Sequence, residues 1–156
     1  MPLFSRAVFG VLHLAARRGL AESRADESTK ERARRTGIRG ETYAYWYLRR
    51  HGYVFVARNY KVPEDKGEID LVGYDGPVLA FVEVKTRSGT EERPGQPEEA
   101  VTPQKRQHLE RMAKRFLRER RARDASWRFD LVAIESPAGR APVVRLHKNA
   151  FAVERQ

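Results

Sequence analysis

The sequence predicts an α/β domain, a mixed central β-sheet flanked by α-helices. Three observations predict it. Two segments, Ile38–Leu48 and Leu109–Leu117, carry apolar residues at helical spacing. Five short runs rich in β-branched and aromatic residues lie between and after them. The longest apolar stretch, Gly67–Lys85, reads as two strands around a tight turn at Asp75-Gly76. The order is therefore helix, three strands, helix, two strands. A chain of 156 residues is long enough for one domain with a sizeable core.

Residues 1–36 form a variable basic extension, helical or partly disordered. Phe4, Val8, Val11, Leu12 and Leu14 make a modest apolar run broken by Arg6 and followed by Arg17 and Arg18. The run is too short and too charged to span a bilayer. No small-residue cleavage site of the signal-peptide kind follows it. A membrane-surface or partner-binding helix is the sharper reading of the segment. The folded domain is expected over 37–156. Its first helix, 37–51, carries Ile38, Glu41, Ala44, Tyr45 and Leu48 on the inward stripe, with Tyr43, Trp46 and Tyr47 facing elsewhere. Gly52 ends it. Strands follow over 53–57, about 67–74 and 78–86. A polar loop over 87–101 should then overhang whatever the third strand carries, as a gate or a plain connection.

Thr102-Pro103 starts the second long helix, a capping residue followed by proline in the first turn. Leu109, Met112, Ala113, Phe116 and Leu117 form its buried stripe, and Lys105, four residues before Leu109, belongs to that stripe. The outer face is strongly basic from Arg111 to Arg123. Strands are expected over 127–134 and 143–146, the last at a sheet edge.

The charges inside the two central strands set the chemistry. Asp70 lies in the first, Glu83 and Lys85 two residues apart in the second. Residues i and i+2 of a strand share a face, so Glu83 and Lys85 stand side by side with Phe81 beneath. One hairpin can bring Asp70 and Glu83 together on adjacent strands. Two carboxylates in an apolar setting are costly unless something positive joins them. A divalent metal ion is the obvious candidate, since hard cations take oxygen ligands. The expected arrangement is an open pocket with both acids and the lysine at its wall. Glu41, an acid on the inward face of its helix, is either a site residue or a first-turn acid favoured by the helix dipole. Lys105 at a helix N-terminus is a plausible phosphate contact or a lysine that snorkels to solvent. Glu68 and Asp130 read as structural or supporting residues.

Composition narrows the partners. The net charge is +10, with a pI near 10.3 and a mean hydropathy of −0.70. A polyanion follows as the expected partner, nucleic acid before an anionic membrane surface. There are no cysteines, which excludes disulfides, thiolate zinc sites and a cysteine nucleophile. Their absence fits a reducing compartment, and a cytoplasmic location is expected. His13, His51, His108 and His147 show neither zinc spacing nor a triad partner.

The ordered set Gly40-Glu41, Ala44, Tyr47-Leu48, Gly52-Tyr53, Arg58-Asn59-Tyr60, Gly67-Glu68-Ile69-Asp70-Leu71 and Phe81-Val82-Glu83-Val84-Lys85-Thr86-Arg87 continues with Thr102-Pro103, Lys105, Arg128-Phe129-Asp130 and Asn149-Ala150-Phe151. Over residues 37–151 it resembles the YraN-type bacterial family of the PD-(D/E)xK nuclease superfamily, related to archaeal Holliday junction resolvases. One departure is Ile69, where the superfamily motif has proline. The resemblance implies a restriction-endonuclease-like fold and a metal-dependent endonuclease acting on DNA, with branched or structured DNA as the substrate class. It implies Mg²⁺ or Mn²⁺ held by Asp70 and Glu83, with Glu41 binding through water or holding a second ion. Lys85 would orient the attacking water or neutralise charge on the phosphate, and Lys105 would contact a phosphate. Symmetric cutting of two strands would suit a homodimer. The alternative is a non-catalytic nucleic-acid-binding module with a vestigial nuclease site, and a third reading is a membrane-associated adaptor using residues 3–20.

Overall fold

The computed structural model describes residues 3–20, 26–88, 101–137 and 139–151. Among them lie helices α1 (Leu3–Ala16), α2 (Thr29–Arg50) and α3 (Pro103–Glu119), and strands β1 (Val54–Tyr60), β2 (Ile69–Asp75), β3 (Val78–Ser88), β4 (Trp127–Ser136) and β5 (Val143–His147). The strands form one five-stranded mixed sheet in the order β1-β2-β3-β4-β5, with β5 at an edge. This is an α/β fold consistent with the restriction-endonuclease-like class. The gate expected over 87–101 falls largely on positions 89–100, outside the described residues.

The chain divides into two compact units. One comprises Met1–Gly52, Val84–Pro94 and Val132–Leu146, the other Tyr53–Glu83, Gly95–Leu131 and His147–Gln156.

In the first unit α2 begins at Thr29, eight residues before the start expected from apolar spacing. The cause is a capping box. The Ser28 hydroxyl accepts from the Glu31 amide at 3.3 Å, and the Glu31 carboxylate accepts from the Ser28 amide at 3.0 Å. The first two turns are charged all round, so no periodicity announces them. The buried face also differs from the expected stripe. Thr36, Gly40, Tyr43, Ala44 and Leu48 are buried, whereas Ile38 is 53 % exposed. Tyr43 turns inward because α1 covers it. The Phe9 ring lies 5.3 Å from the Tyr43 ring, and Tyr43 Oη is 2.6 Å from His13 Nδ1. Burial pushes the Tyr43 phenol up to about 12. Gly40 meets β3 so closely that an added Cβ would stand 1.8 Å from Thr86 Oγ1.

In the second unit β1, β2 and β3 form an antiparallel meander. The β2–β3 loop is Gly76-Pro77, with Gly76 at φ +58°, and Asp75 pairs with Val78 instead of forming the turn. A bulge between Phe55 and Ala57 shifts β1, and Phe55 packs over Gly73. Helix α3 lays the expected stripe of Leu109, Met112, Ala113, Phe116 and Leu117 on Val72, Leu79, Phe81, Phe129 and Leu131. Phe81 makes edge-on contacts with Phe116 at 5.7 Å and Trp127 at 5.6 Å.

A polar network is also buried here. Asp130, fully buried, accepts from Arg128 Nε at 2.7 Å, Tyr53 Oη at 2.9 Å and the Asn149 amide at 2.9 Å. Arg128 reaches on to Asp75 at 2.5 Å, and Lys148 meets Asp75 at 2.6 Å. Every acid in the network therefore faces a cation, which is what makes its burial tolerable.

Candidate functional site

Strand register places the central acids. Leu71 pairs with Val82 and Val72 with Phe81, so the same register one step on sets Asp70 opposite Glu83. Directly opposed residues share a face. That face is the one carrying Val72 and Phe81 toward α3. Glu68, two residues before Asp70, stands at the mouth of β2, and the Glu68 and Asp70 carboxylates lie within 4.8 Å of one another.

Helix α3 brings the cation. Thr102 caps it, its hydroxyl accepting from the Lys105 amide at 3.2 Å, and Pro103 occupies the first turn as expected. This fixes Lys105 in the first turn, where the ammonium sits 3.5 Å from Glu83 Oε1. Lys105 is neither fully inward nor fully solvated: its side chain is about one-third exposed while its tip stays on the buried acid.

The site is more closed than the open pocket expected from sequence. Asp70 is 9 % exposed and Glu83 4 %. Phe81 and the α3 stripe pack together in the core on that side of the sheet, and Lys105 of α3 lies on Glu83. Beside them Glu68 and Lys105 are both about one-third exposed. Lys61 approaches Glu68 there, at 3.2 Å.

Glu41 and Lys85 belong to the first unit. Glu41 follows Gly40 on α2, and the tight Gly40–Thr86 approach sets that turn of helix against the end of β3 that carries Lys85. Lys85 is half-buried, two residues beyond Glu83 along one continuous strand.

The residue that sequence reasoning undervalued is Glu68. The signal was present in the i, i+2 spacing with Asp70, but a position just ahead of a strand gave no reason to rank it above a supporting role. Asp130, read as structural or supporting, is found in that role. It stands in the buried Arg128 network, away from Glu83 and Lys105 among its hydrogen-bond partners, and its role there is structural. His108 stands close to Gly67, the residue before Glu68, with Nδ1 3.6 Å from Asp65.

Chemically, the arrangement groups oxygen donors on one sheet face with an ammonium beside them. Such a donor set suits a hard divalent cation better than a soft or thiolate-seeking one.

Residues 40–134 match the model of a group described as uncharacterised protein family UPF0102. The chain is similar to a UPF0102 protein of Koribacter versatilis, 42 % identical over 117 residues, covering 75 % of this chain and 79 % of the relative. It is also similar to UPF0102 proteins of Symbiobacterium thermophilum, at 45 % over 76 % of this chain and 98 % of the relative, and of Solibacter usitatus, at 46 % over 72 % and 82 %.

Proposed function

We propose a reaction for the uncharacterised protein family UPF0102, to which this chain belongs. It is the metal-dependent endonucleolytic hydrolysis of phosphodiester bonds in DNA, with branched or structured DNA as the substrate class. The observation that carries the reading is the alignment of Asp70 with Glu83 on one sheet face, with the Lys105 ammonium 3.5 Å from Glu83. A net charge of +10 supports a nucleic-acid partner.

The donor set fits Mg²⁺ or Mn²⁺. Oxygen ligands of one small divalent ion stand about 4 Å apart or closer, twice the usual bond length. The Glu68 and Asp70 carboxylates already approach that spacing. Asp70 and Glu83 would hold the ion, with Glu41 and Glu68 completing the carboxylate set. When bound, such an ion polarises the phosphate and makes water a stronger nucleophile. The protein's own groups do the rest. Lys85 puts a cation where the attacking water is oriented or where charge builds on the phosphate oxygens. Lys105, at an N-terminus whose free amides favour anions, receives a phosphate of the backbone. Its present partner, Glu83, is released from it as the phosphate takes its place.

The test is a panel of labelled DNAs (single-stranded, duplex, flap and four-way junction) with Mg²⁺, Mn²⁺ or EDTA. Cleavage should need the ion and should vanish in Asp70→Asn and Glu83→Gln while binding persists. Lys85→Ala should cut at least about a hundredfold more slowly, the scale at which one stabilising group is lost. Cleavage that ignores EDTA or survives Asp70→Asn defeats the reading. Binding to all four DNAs without cleavage of any would leave a nucleic-acid-binding module with a vestigial site.

A further inference from the structure

Helix α1 has two unlike faces, and among the described residues only one is covered. Ser5, Phe9 and Ala16 point inward and are buried. Their seat is specific. Phe9 packs on Tyr43 and Tyr47, Arg50 lies 5.3 Å over the Phe9 ring, and Phe4 touches Trp46 edge-on at 6.1 Å. The helix therefore has one fixed rotation on α2. The opposite arc carries Leu3, Ala7, Gly10, Val11 and Leu14, without a charged side chain. Leu3 is 83 % exposed, Phe4 69 %, Val11 70 % and Leu14 66 %. A surface helix normally turns polar residues outward, and a contiguous outward apolar arc like this one marks a contact surface.

Charge identifies the covering. Arg6 borders the apolar arc, and Arg17 and Arg18 follow its end, all exposed. Arginines at the margins of an apolar strip match an anionic lipid surface, with heads at the phosphates and Leu and Phe among the acyl chains. A second copy of the chain fits poorly. Self-pairing would bring these arginines together on two chains of +10 each. The four large side chains also offer only on the order of 500 Å², against the ~800 Å² per partner of a standard protein interface. The helix cannot cross a bilayer. It has 14 residues, and among the described residues no helix is long and apolar enough to span.

We propose that α1 is an interfacial helix that docks this protein flat on an anionic lipid bilayer, with Leu3, Phe4, Val11 and Leu14 as the inserted residues. The site at Asp70 and Glu83 plays no part in the docking, so the two assignments fail independently.

The full chain is sedimented with vesicles of phosphatidylglycerol and phosphatidylcholine, and separately with phosphatidylcholine alone. It should pellet with the first and not the second, and high salt should weaken the binding. The decisive variant is Val11→Gln/Leu14→Gln, which leaves the charge unchanged, suits a helix and touches only exposed positions. Its partitioning should fall about tenfold or more, as interfacial binding scales with the apolar area inserted. Arg17→Gln/Arg18→Gln should weaken binding to the anionic vesicles alone. Circular dichroism should be unchanged in both. Wild-type partitioning by Val11→Gln/Leu14→Gln would show that charge alone holds the protein to lipid and would overturn the proposal. So would a failure to bind either vesicle, or a stable dimer in free solution that the same variant dissolves.

Discussion

Replacing Gly40 by alanine tests how the helix bearing Glu41 is seated. A Cβ at position 40 would lie 1.8 Å from Thr86 Oγ1, 2.9 Å from Thr86 Cβ and 3.2 Å from Thr86 Cγ2. Rotating Thr86 moves Oγ1 but leaves its Cβ in place, so rotation alone does not clear the contact. The helix must lift from β3, and overpacking of this kind costs about 1–3 kcal/mol. Alanine regains roughly 1 kcal/mol of helix propensity. The net is a loss of about 0–2 kcal/mol, a fall in Tm of up to several degrees for a chain of this size. Thr86→Ala in the same background should return part of it, because Oγ1 and Cγ2 are gone while the Cβ at 2.9 Å remains. Urea unfolding of wild type, both single variants and the double variant measures this as a coupling free energy. A coupling near zero, with the double variant as weak as the sum of the singles, would refute the close contact as the cause. Gly40→Ala should also lower cleavage more than stability accounts for, since it displaces the turn that carries Glu41.

Asp130→Ala leaves Arg128 facing a cavity where a carboxylate was, and removal of one partner from a buried pair costs about 3–5 kcal/mol, read from the urea midpoint. Tyr53→Phe deletes two hydrogen bonds of the same network, the one donated to Asp130 and the one accepted from Arg128, and should cost about 1–3 kcal/mol. The Asp75 carboxyl is held below its ordinary value by hydrogen bonds from Lys148 and Arg128. Its folded value is the lower one, so the stability it contributes is present above about pH 4 and lost as pH falls through the folded value. Asp75→Asn should be the less stable protein at pH 6, and its deficit should hold to about pH 4 and shrink only below it in urea titrations. Burial raises the Tyr43, Tyr53 and Tyr60 phenols above their ordinary value, Tyr43 and Tyr60 to about 12. Their contribution is therefore full below about pH 10 and lost at higher pH as they ionise. Absorbance of phenolate should show these three titrating late, and Tyr53→Phe should remove part of the late phase.

The parts of the fold that were legible in the sequence are those where one local rule decides. Thr102-Pro103 and the stripe Leu109–Leu117 fix α3 by capping and by period, and the structure places both as read. The two central strands are legible because their apolar run is interrupted by a glycine turn. What could not be read is what depends on a neighbour. Tyr43 and Ile38 are both plausible members of an inward stripe on α2. Which one is buried depends on Phe9 and His13 arriving from α1, and no residue of α2 encodes that arrival. The start of α2 was hidden for a different reason. Ser28 and Glu31 state it, but the charged turns behind them carry no period to confirm it. At the candidate site, alternation along β2 and β3 is enough to put Asp70 and Glu83 on one face, because a hairpin leaves few registers open. The degree of closure is not a property of either strand. It depends on what packs against the sheet around them, so two acids that read as the wall of an open pocket stand 9 % and 4 % exposed. That closure raises the cost of leaving Glu83 without a cation, and Lys105 meets it from the first turn of α3. On the proposed function Lys105 also receives a phosphate, so Lys105→Ala should weaken DNA binding and destabilise the protein, whereas Lys105→Ala/Glu83→Gln should restore stability without restoring binding.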